Sequence, residues 1–228
     1  MTPKERWFAS TLPFVRAHIP PAPARVVEIG CGTLGGLVPD LLALAYDVVG
    51  VDPEAPDGPA YRQVEVERYE PPARVDAIVA ATSLHHVADL REVVDWMASA
   101  LVPGGRLVVV EWARERFDEA TAQWCFARLP ERDEEEQGWL HGHRDRWRES
   151  DQPWQRYCDA WAEEERLHTG GDIFAALDTR FEPSLVLDAP YFFPELDGVT
   201  EADEQEAIDA GRIRANGIRY AGRLRPTA

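Results

Sequence analysis

Short apolar runs alternate along this chain with stretches rich in glycine, proline and acidic residues. Four of the runs have the length and the β-branched content of buried strands, namely Arg25–Ile29, Asp47–Asp52, Asp76–Ala81 and Arg106–Trp112. Helical periodicity fills the intervals between them, most clearly from Asp89 to Leu101. This alternation predicts an α/β protein built around a mostly parallel sheet.

Two further segments before residue 75 carry weaker patterns. Residues 3–19 have apolar positions at a helical period that Pro13 interrupts, which predicts one kinked helix or two short helices. This helix would cover a bound ligand or simply pack on the sheet. Tyr61–Glu67 alternates between apolar and polar residues, and we predict a third strand there.

The stretch from residue 113 to residue 171 differs from the rest of the chain. It is acidic, helical in propensity, and too long for one helix between two strands, so we interpret it as an inserted cap of two or three helices. The charge run Glu131–Glu136 is predicted to be solvated. The tryptophans of this stretch fit either the core of the cap or a pocket for a flat or cationic substrate. They are Trp124, Trp139, Trp147, Trp154 and Trp161.

The carboxyl-terminal part returns to alternating strands and helices. Apolar runs over Phe181–Phe193 and Gly217–Leu224 predict strands, and Thr200 precedes a helix over Glu201–Arg212 with a sequence like a capping box. The chain is therefore predicted to be one domain over residues 1–228. Its parts are a helical segment (1–24), a core (25–112), the cap (113–171) and the closing strands and helix (172–228).

The glycine-rich turn after the first predicted strand is the main candidate for a binding site. Gly30 and Gly32 allow a tight turn that brings bare backbone against a ligand. The second strand ends at Asp52, a carboxylate about twenty residues farther on, where adenosine-binding sites need a partner for the ribose. Glu28 precedes the turn, where it would repel a pyrophosphate and suits a cationic ligand.

Three motifs of this chain resemble those of class I S-adenosylmethionine-dependent methyltransferases. Glu28-Ile-Gly-Cys-Gly32 resembles the first motif of that family, Val75–Val87 its fourth-strand motif with a Leu-His-His turn, and Leu101–Glu111 its fifth-strand motif. The usual Gly-x-Gly-x-Gly pattern would place a glycine at Leu34, where this chain departs from it. The resemblance implies a Rossmann-like, seven-stranded, mostly parallel sheet in the order 3-2-1-4-5-7-6, with helices on both faces.

The same resemblance implies S-adenosylmethionine as the cofactor, with S-adenosylhomocysteine as its product. Glu28 would face the amino group of the cofactor, Asp52 its ribose hydroxyls, and Glu67 its adenine. The substrate would be a small molecule between the cap and the carboxyl ends of strands four and five, methylated on oxygen or, as alternatives, on nitrogen or carbon. The expected cofactor-binding residues are Glu28, Gly30, Cys31, Gly32, Asp52, Pro53, Glu67 and Ala81.

His85, His141 and His143 are the candidate general bases, because an imidazole titrates near neutral pH. His85 and His86 belong to the Leu-His-His turn, where a packing role is the alternative. His141 and His143 have a spacing that can bind metal, but two such ligands form only a weak signal, so we expect no metal site. Alignment and exclusion of water matter more than a base in methyl transfer from a sulfonium.

Net charge and cysteine content indicate which partners and which cellular compartment the sequence favours. The formal net charge of −17 argues against a nucleic-acid partner, because binding a polyanion needs clustered lysine and arginine. Cys31, Cys125 and Cys158 follow no disulfide or zinc pattern, which is typical of a reducing compartment. No apolar run approaches twenty residues, so we expect a soluble, cytoplasmic protein with no membrane partner. The oligomeric state is left open.

Two other functions fit part of the sequence. A regulatory or structural protein that binds S-adenosylmethionine or S-adenosylhomocysteine without methyl transfer would share all three motifs. A nicotinamide-dependent oxidoreductase would share only the glycine turn and Asp52, and it leaves Glu28 and the Leu-His-His turn without a role. A methyltransferase acting on a small molecule is the function that the sequence favours.

Overall fold

The computed structural model describes residues 2–131 and 138–226. Of the predicted charge run, residues 132–136 lie outside the described residues. The strands are β1 (Arg25–Ile29), β2 (Asp47–Val51), β3 (Tyr61–Arg62), β4 (Val75–Ala81), β5 (Leu101–Trp112), β6 (Phe181–Ala189) and β7 (Gly217–Leu224). The α-helices are α1 (Pro3–His18), α2 (Val38–Ala43), α3 (Leu90–Ala100), α4 (Glu119–Phe126), α5 (Trp139–Ser150), α6 (Trp154–Glu164), α7 (Gly170–Leu177) and α8 (Glu201–Asp209).

The strands form one sheet in the order β3-β2-β1-β4-β5-β7-β6. Strands β1 to β5 run parallel to one another, and β7 lies antiparallel between β5 and β6. The predicted strand order is confirmed. The chain leaves β1 toward β2 on one side of the sheet, while β4 pairs with β1 on the other side. A crevice therefore opens between the carboxyl ends of β1 and β4, which is where open α/β sheets hold ligands.

Apolar side chains cover both faces of the sheet. On one face, Met97 of α3 and Ile173 of α7 pack with Ile78 of β4. On the other face, Val15 of α1 and Leu41 of α2 form a second cluster with residues of β1, β2, β4 and β5. Strands buried on both faces read as continuous apolar runs, which explains why the central strands were recognisable in the sequence.

Several elements differ from their predicted boundaries. Strand β5 begins at Leu101 rather than at Arg106, and β6 ends at Ala189 rather than at Phe193. The predicted third strand is shorter than Tyr61–Glu67, because β2 ends at Val51 and leaves no partner beyond Arg62; the 3₁₀ turn Val66–Arg68 follows instead. Helix α1 is continuous through Pro13, with Phe14 and Val15 buried after it. The last predicted helix ends at Asp209 rather than at Arg212.

Helices α4, α5 and α6 form a third apolar cluster at the carboxyl end of β5. Trp112 of β5, Leu140 of α5 and Phe192 are buried in this cluster. Of the tryptophans in residues 113–171, Trp154 is fully buried there and donates to the carbonyl of Phe117 at 2.7 Å. The other four are half-buried at its edge, namely Trp124, Trp139, Trp147 and Trp161.

The segment that follows β6 is fixed by one buried carboxylate. Glu204 of α8 is fully buried and accepts from three successive backbone N–H groups, those of Tyr191 at 2.8 Å, Phe192 at 3.2 Å and Phe193 at 2.6 Å. Burial raises the pKa of Glu204, although the three N–H donors oppose this shift. A buried N–H group without a partner is costly, so this carboxylate determines the path of residues 191–193.

We expect Glu204→Ala to lower the free energy of unfolding by about 3 kcal/mol or more, and the melting temperature by roughly 6–12 °C, because it leaves three N–H groups unpartnered. Urea unfolding followed by circular dichroism measures the change. Glu206→Ala is the matched control on the exposed side of α8, where the ion pair with Arg212 at 3.4 Å is worth about 1 kcal/mol at most. Equal effects of the two substitutions would contradict this account of Glu204.

Candidate functional site

A cavity of about 850 Å³ opens at the carboxyl ends of β1, β2 and β4. Its volume lies in the upper part of the range of roughly 300–1,000 Å³ that is typical of small-molecule sites. The strand ends and the glycine turn line one side of the cavity. Residues of α1, of α5 and of the segment after β6 line the other side.

The glycine turn brings bare backbone to the wall of the cavity. Gly30 has a φ of +76° and Gly32 a φ of +60°, a region that residues with side chains rarely adopt. A Cβ atom at Gly30 would lie 2.2 Å from Cβ of Ser83, which follows β4. The turn after β1 and the turn after β4 therefore touch at a position where only glycine fits.

Asp52 ties the glycine turn to the end of β2. Its Oδ2 accepts from the N–H of Gly32 at 3.0 Å, and its Oδ1 accepts from the N–H of Glu54 at 2.7 Å. Each carboxylate oxygen can accept more than one hydrogen bond. Since Asp52 also lines the cavity, its remaining lone pairs are available to hydroxyl groups of a ligand.

Glu28 lies at the end of β1, between the glycine turn and the start of α2. The side chain is buried, and both carboxylate oxygens lie 2.9 Å from the N–H of Leu37. Burial raises the pKa of Glu28 to about 8, although hydrogen bonds from Leu37 and Val38 oppose the shift. No salt bridge to Glu28 occurs among residues 2–131 and 138–226. A ligand cation in the cavity would favour its ionised form.

In this chain the loop needs glycine at Gly35 and Gly36 rather than at position 34, where Leu34 replaces the usual glycine. A Cβ atom at Gly36 would lie 2.3 Å from Oε1 of Glu28, and one at Gly35 would lie 2.4 Å from Oη of Tyr61. Both glycines have positive φ values, +83° at Gly35 and +59° at Gly36. These two glycines let the loop close over Glu28, and Leu34 itself is 63% exposed.

The structure brings all the predicted cofactor-binding residues to this cavity. Burial raises the pKa of the Cys31 thiol to about 12, so this side chain is a neutral part of the wall rather than a nucleophile. Glu67 reaches the cavity from the 3₁₀ turn and not from a strand end. The lining includes Glu28, Gly30, Cys31, Gly32, Asp52, Pro53, Glu67 and Ala81.

His85 is held by a buried carboxylate behind the cavity wall. Its Nδ1 lies 2.7 Å from Oε2 of Glu111. Oε1 of the same carboxylate accepts from the N–H of Leu84 at 2.6 Å, and Oε2 accepts from the N–H of Trp112 at 2.9 Å. Burial alone would raise the pKa of Glu111, but His85 and the two N–H donors lower it. Glu111 is therefore ionised and fixes the imidazole of His85.

His86, rather than His85, lines the cavity. The rings of the two histidines lie 4.1 Å apart. Desolvation by the surrounding protein, and then the neighbouring His85, lower the pKa of His86. The imidazole is consequently neutral at pH 7 and is able to accept a proton from a ligand. The sequence motif contains both histidines, but it does not indicate which ring turns toward the cavity.

The structure does not bring His141 and His143 to the cavity lining. Both are buried in the cap, where Nε2 of His141 lies 2.9 Å from the carbonyl of Pro130 and Nδ1 of His143 lies 2.7 Å from Oη of Tyr157. Burial, and then the charge of Arg146, lower the pKa of His143 to about 4. These contacts give the two histidines packing partners and support no catalytic role.

Aromatic residues of the far wall were missed as site residues in the sequence. Trp7 and Phe8 come from α1, Trp139 from α5, and Tyr191 and Phe192 from the segment after β6. Trp139 belongs to the tryptophan-rich cap, whose aromatic content was a signal. Tyr191 and Phe192 end an apolar run that reads as the continuation of a strand, so nothing local distinguishes them.

The described ranges lack two kinds of feature. No group of three or more histidine, cysteine, aspartate or glutamate side chains in residues 2–131 and 138–226 is arranged to hold a metal ion. In the same ranges, no helix has the length and apolar content needed to cross a membrane.

Sequence comparison identifies a family and several relatives. A family model described as a methyltransferase domain matches residues 4–151. A ubiquinone biosynthesis O-methyltransferase of Bradyrhizobium sp. (strain ORS 278) is 34% identical over 98 residues, which are 37% of this chain and 38% of the relative. An enzyme of the same name from Xylella fastidiosa (strain 9a5c) is 35% identical over 114 residues, 43% of this chain and 46% of the relative. The chain thus matches less than half the length of these curated relatives.

Solved structures share the fold at low sequence identity. The N-methyltransferase NodS from Bradyrhizobium japonicum WM9, in complex with S-adenosylhomocysteine, has a TM-score of 0.54 and 14% identity, covering 99% of this chain and 89% of NodS. An S-adenosylmethionine-dependent methyltransferase from Mesorhizobium loti has a TM-score of 0.56 and 20% identity, covering 92% of this chain and 96% of that protein. These likenesses concern the fold alone.

The family match extends over more than half of the chain, from α1 through β5 and the first two helices of the cap. The strand order and the glycine turn agree with it. The chain belongs to the methyltransferase-domain family, with the fold of the class I S-adenosylmethionine-dependent methyltransferases.

Proposed function

We propose that the protein transfers a methyl group from S-adenosylmethionine to an oxygen atom of a small molecule. The observation that carries this proposal is the convergence of Glu28, Asp52 and the glycine turn on the cavity that His86 also lines. The names of the curated relatives, which are O-methyltransferases, support oxygen as the accepting atom.

The residues of the cavity fit the chemistry of S-adenosylmethionine. A carboxylate that accepts from the backbone of the glycine turn, as Asp52 does, is suited to the paired hydroxyls of a ribose. Glu28 is buried and its pKa is raised to about 8, so a ligand ammonium group would supply the charge that its ionised form needs. Gly30 and Gly32 leave backbone exposed for close approach.

The residues of the chain then align the acceptor, keep water out and handle its proton. S-adenosylmethionine held by Glu28, the glycine turn and Asp52 would supply an electrophilic methyl group to the acceptor oxygen, and the electron pair of the broken carbon–sulfur bond would stay on its sulfur. His86 accepts the proton of the acceptor hydroxyl, since it is neutral and lines the cavity. Glu111 holds His85, and the ring of His85 packs against His86 and fixes its position.

Each part of the chain has a proposed role in this reaction, and the protein a proposed compartment. Residues 25–112 bind the cofactor, while α1, α5 of the cap (residues 113–171) and the segment after β6 enclose the acceptor. The cytoplasm is the proposed compartment, because all three cysteines, Cys31, Cys125 and Cys158, are buried and unpaired. The net charge of −17 makes a nucleic acid an unfavourable acceptor.

Asp52→Asn is expected to weaken the binding of S-adenosylmethionine and S-adenosylhomocysteine by roughly 10- to 100-fold, because it removes a charged acceptor of two ribose hydrogen bonds. Isothermal titration calorimetry measures both affinities. Asp57→Asn is the control, since Asp57 is an exposed loop carboxylate outside the cavity lining. Unchanged affinity in Asp52→Asn would contradict the assigned ribose site.

The affinity for S-adenosylhomocysteine should rise between pH 6 and pH 8, by up to about tenfold per pH unit. In the empty protein Glu28 is protonated below its raised pKa of about 8, and it must lose that proton to bind an ammonium group. Calorimetry in buffers of different ionisation enthalpy measures the proton released. Glu28→Gln removes the titrating group, so its weaker affinity should not rise over this range. A flat profile in the unsubstituted protein would exclude Glu28 as the ammonium partner.

His86→Ala is expected to lower kcat for methyl transfer by about 100-fold while leaving the affinity for S-adenosylmethionine unchanged. The acid limb of the kcat profile should lie below the ordinary histidine pKa of 6.5, because the pKa of His86 is lowered. Formation of S-adenosylhomocysteine with hydroxylated small molecules measures the rate, with His18→Ala as the control on α1. Cofactor binding without transfer to any of them would instead support a binding protein without enzymatic activity.

A further inference from the structure

Part of the cavity wall is aromatic, and its aromatic residues come from three separate parts of the chain. Trp7 and Phe8 of α1, Trp139 of α5, and Tyr191 and Phe192 after β6 contribute to it. Trp7, Phe8, Trp139 and Tyr191 are only partly buried, so their rings present apolar surface to the cavity. Concave apolar surface of this kind marks a ligand-binding site more often than a structural one.

One side of this wall is rigid because a buried tryptophan supports it from behind. Trp112 is only 3% exposed, and its ring stacks on that of Tyr191 at 5.8 Å with an angle of 9° between the planes. The ring of Trp139 lies 5.6 Å from Trp112 and 6.1 Å from Phe192. Since Glu204 also fixes the backbone of Tyr191 and Phe192, these rings are held in place before any ligand binds.

The α1 side is fastened to the same segment by Arg6. Its guanidinium donates to the carbonyls of Pro194 at 3.1 Å and of Leu196 at 3.0 Å, and also to that of Val199. Trp7 and Phe8 pack edge to face with ring centroids 5.5 Å apart. Within the described part of the chain, no ring contact joins this pair to Trp139, Tyr191 or Phe192, so the rings of α1 form a separate aromatic surface.

We infer that the methyl acceptor is an aromatic ring compound whose ring packs against Trp139 and Tyr191, with its hydroxyl group near His86. This inference rests on the proposed function and names the substrate class of the same site. The rings that support it are linked to the catalytic side, because His85 contacts the edge of Trp112 at 5.9 Å. Offset or edge contacts between aromatic rings favour an aromatic ligand over a saturated one by about two- to tenfold in affinity.

Two matched probes test the inference on protein saturated with S-adenosylhomocysteine. They are 4-ethylphenol and 4-ethylcyclohexanol, which carry the same substituents on an aromatic and on a saturated ring. We expect 4-ethylphenol to bind about two- to tenfold more tightly in an NMR titration. Trp139→Leu should abolish this preference without changing the affinity for S-adenosylhomocysteine. Tyr191→Leu removes the other ring that contacts the acceptor, and the same loss of preference is expected from it if Trp139→Leu does not fold.

Trp124→Leu is the control, because Trp124 is a half-buried cap tryptophan that packs against Arg128 outside the cavity lining. It should keep the full preference for the aromatic probe. Equal binding of the two probes, or binding of neither, by protein that does bind S-adenosylhomocysteine overturns the aromatic acceptor and leaves the cofactor assignment standing. Failure to bind S-adenosylhomocysteine overturns the proposed function itself, so the two failures are distinct.

Discussion

The contact of two carboxylates with the backbone of the glycine turn is the interaction on which the rest of the site depends. Asp52 accepts from the N–H of Gly32, and Glu28 accepts from the N–H of Leu37 at the other end of the loop. Because β1 and β2 are adjacent and parallel, their carboxyl ends deliver both acids to one place. Glycine at position 36 leaves room for the Glu28 carboxylate, and glycine at position 30 lets the turn lie against Ser83. The strand order therefore places both carboxylates at one binding site.

In the empty protein, burial of the Glu28 carboxylate is energetically unfavourable, and a cationic ligand would offset this cost. A buried carboxylate without a countercharge is unfavourable, and the raised pKa of Glu28 expresses that cost. The buried carboxylate of Glu111 is different, because His85 and two backbone N–H groups form hydrogen bonds with it and it needs no ligand. One buried acid is therefore suited to binding and the other to holding a histidine in place. Both lie at the carboxyl ends of strands, and only their surroundings separate these roles.

The features that could be predicted from the sequence depend on neighbouring residues, and those that could not depend on distant ones. The glycine turn and Asp52 are about twenty residues apart, within one strand-helix-strand unit. Tyr191 lines the cavity because Glu204 binds its backbone and Trp112 stacks on its ring, and neither contact has a local signature. His86 could not be distinguished from His85 because Glu111, which holds His85, lies on another strand.

The cavity is lined by strand ends and by residues of α1, α5 and the segment after β6. The strand ends are the proposed cofactor side, and the other three segments are the proposed acceptor side. A crystal structure of the protein with S-adenosylhomocysteine tests the central claim most directly. The account predicts both ribose hydroxyls within hydrogen-bonding distance of the Asp52 carboxylate, and the amino group of the ligand beside Glu28. A ligand bound elsewhere, or a ribose turned away from Asp52, would contradict it.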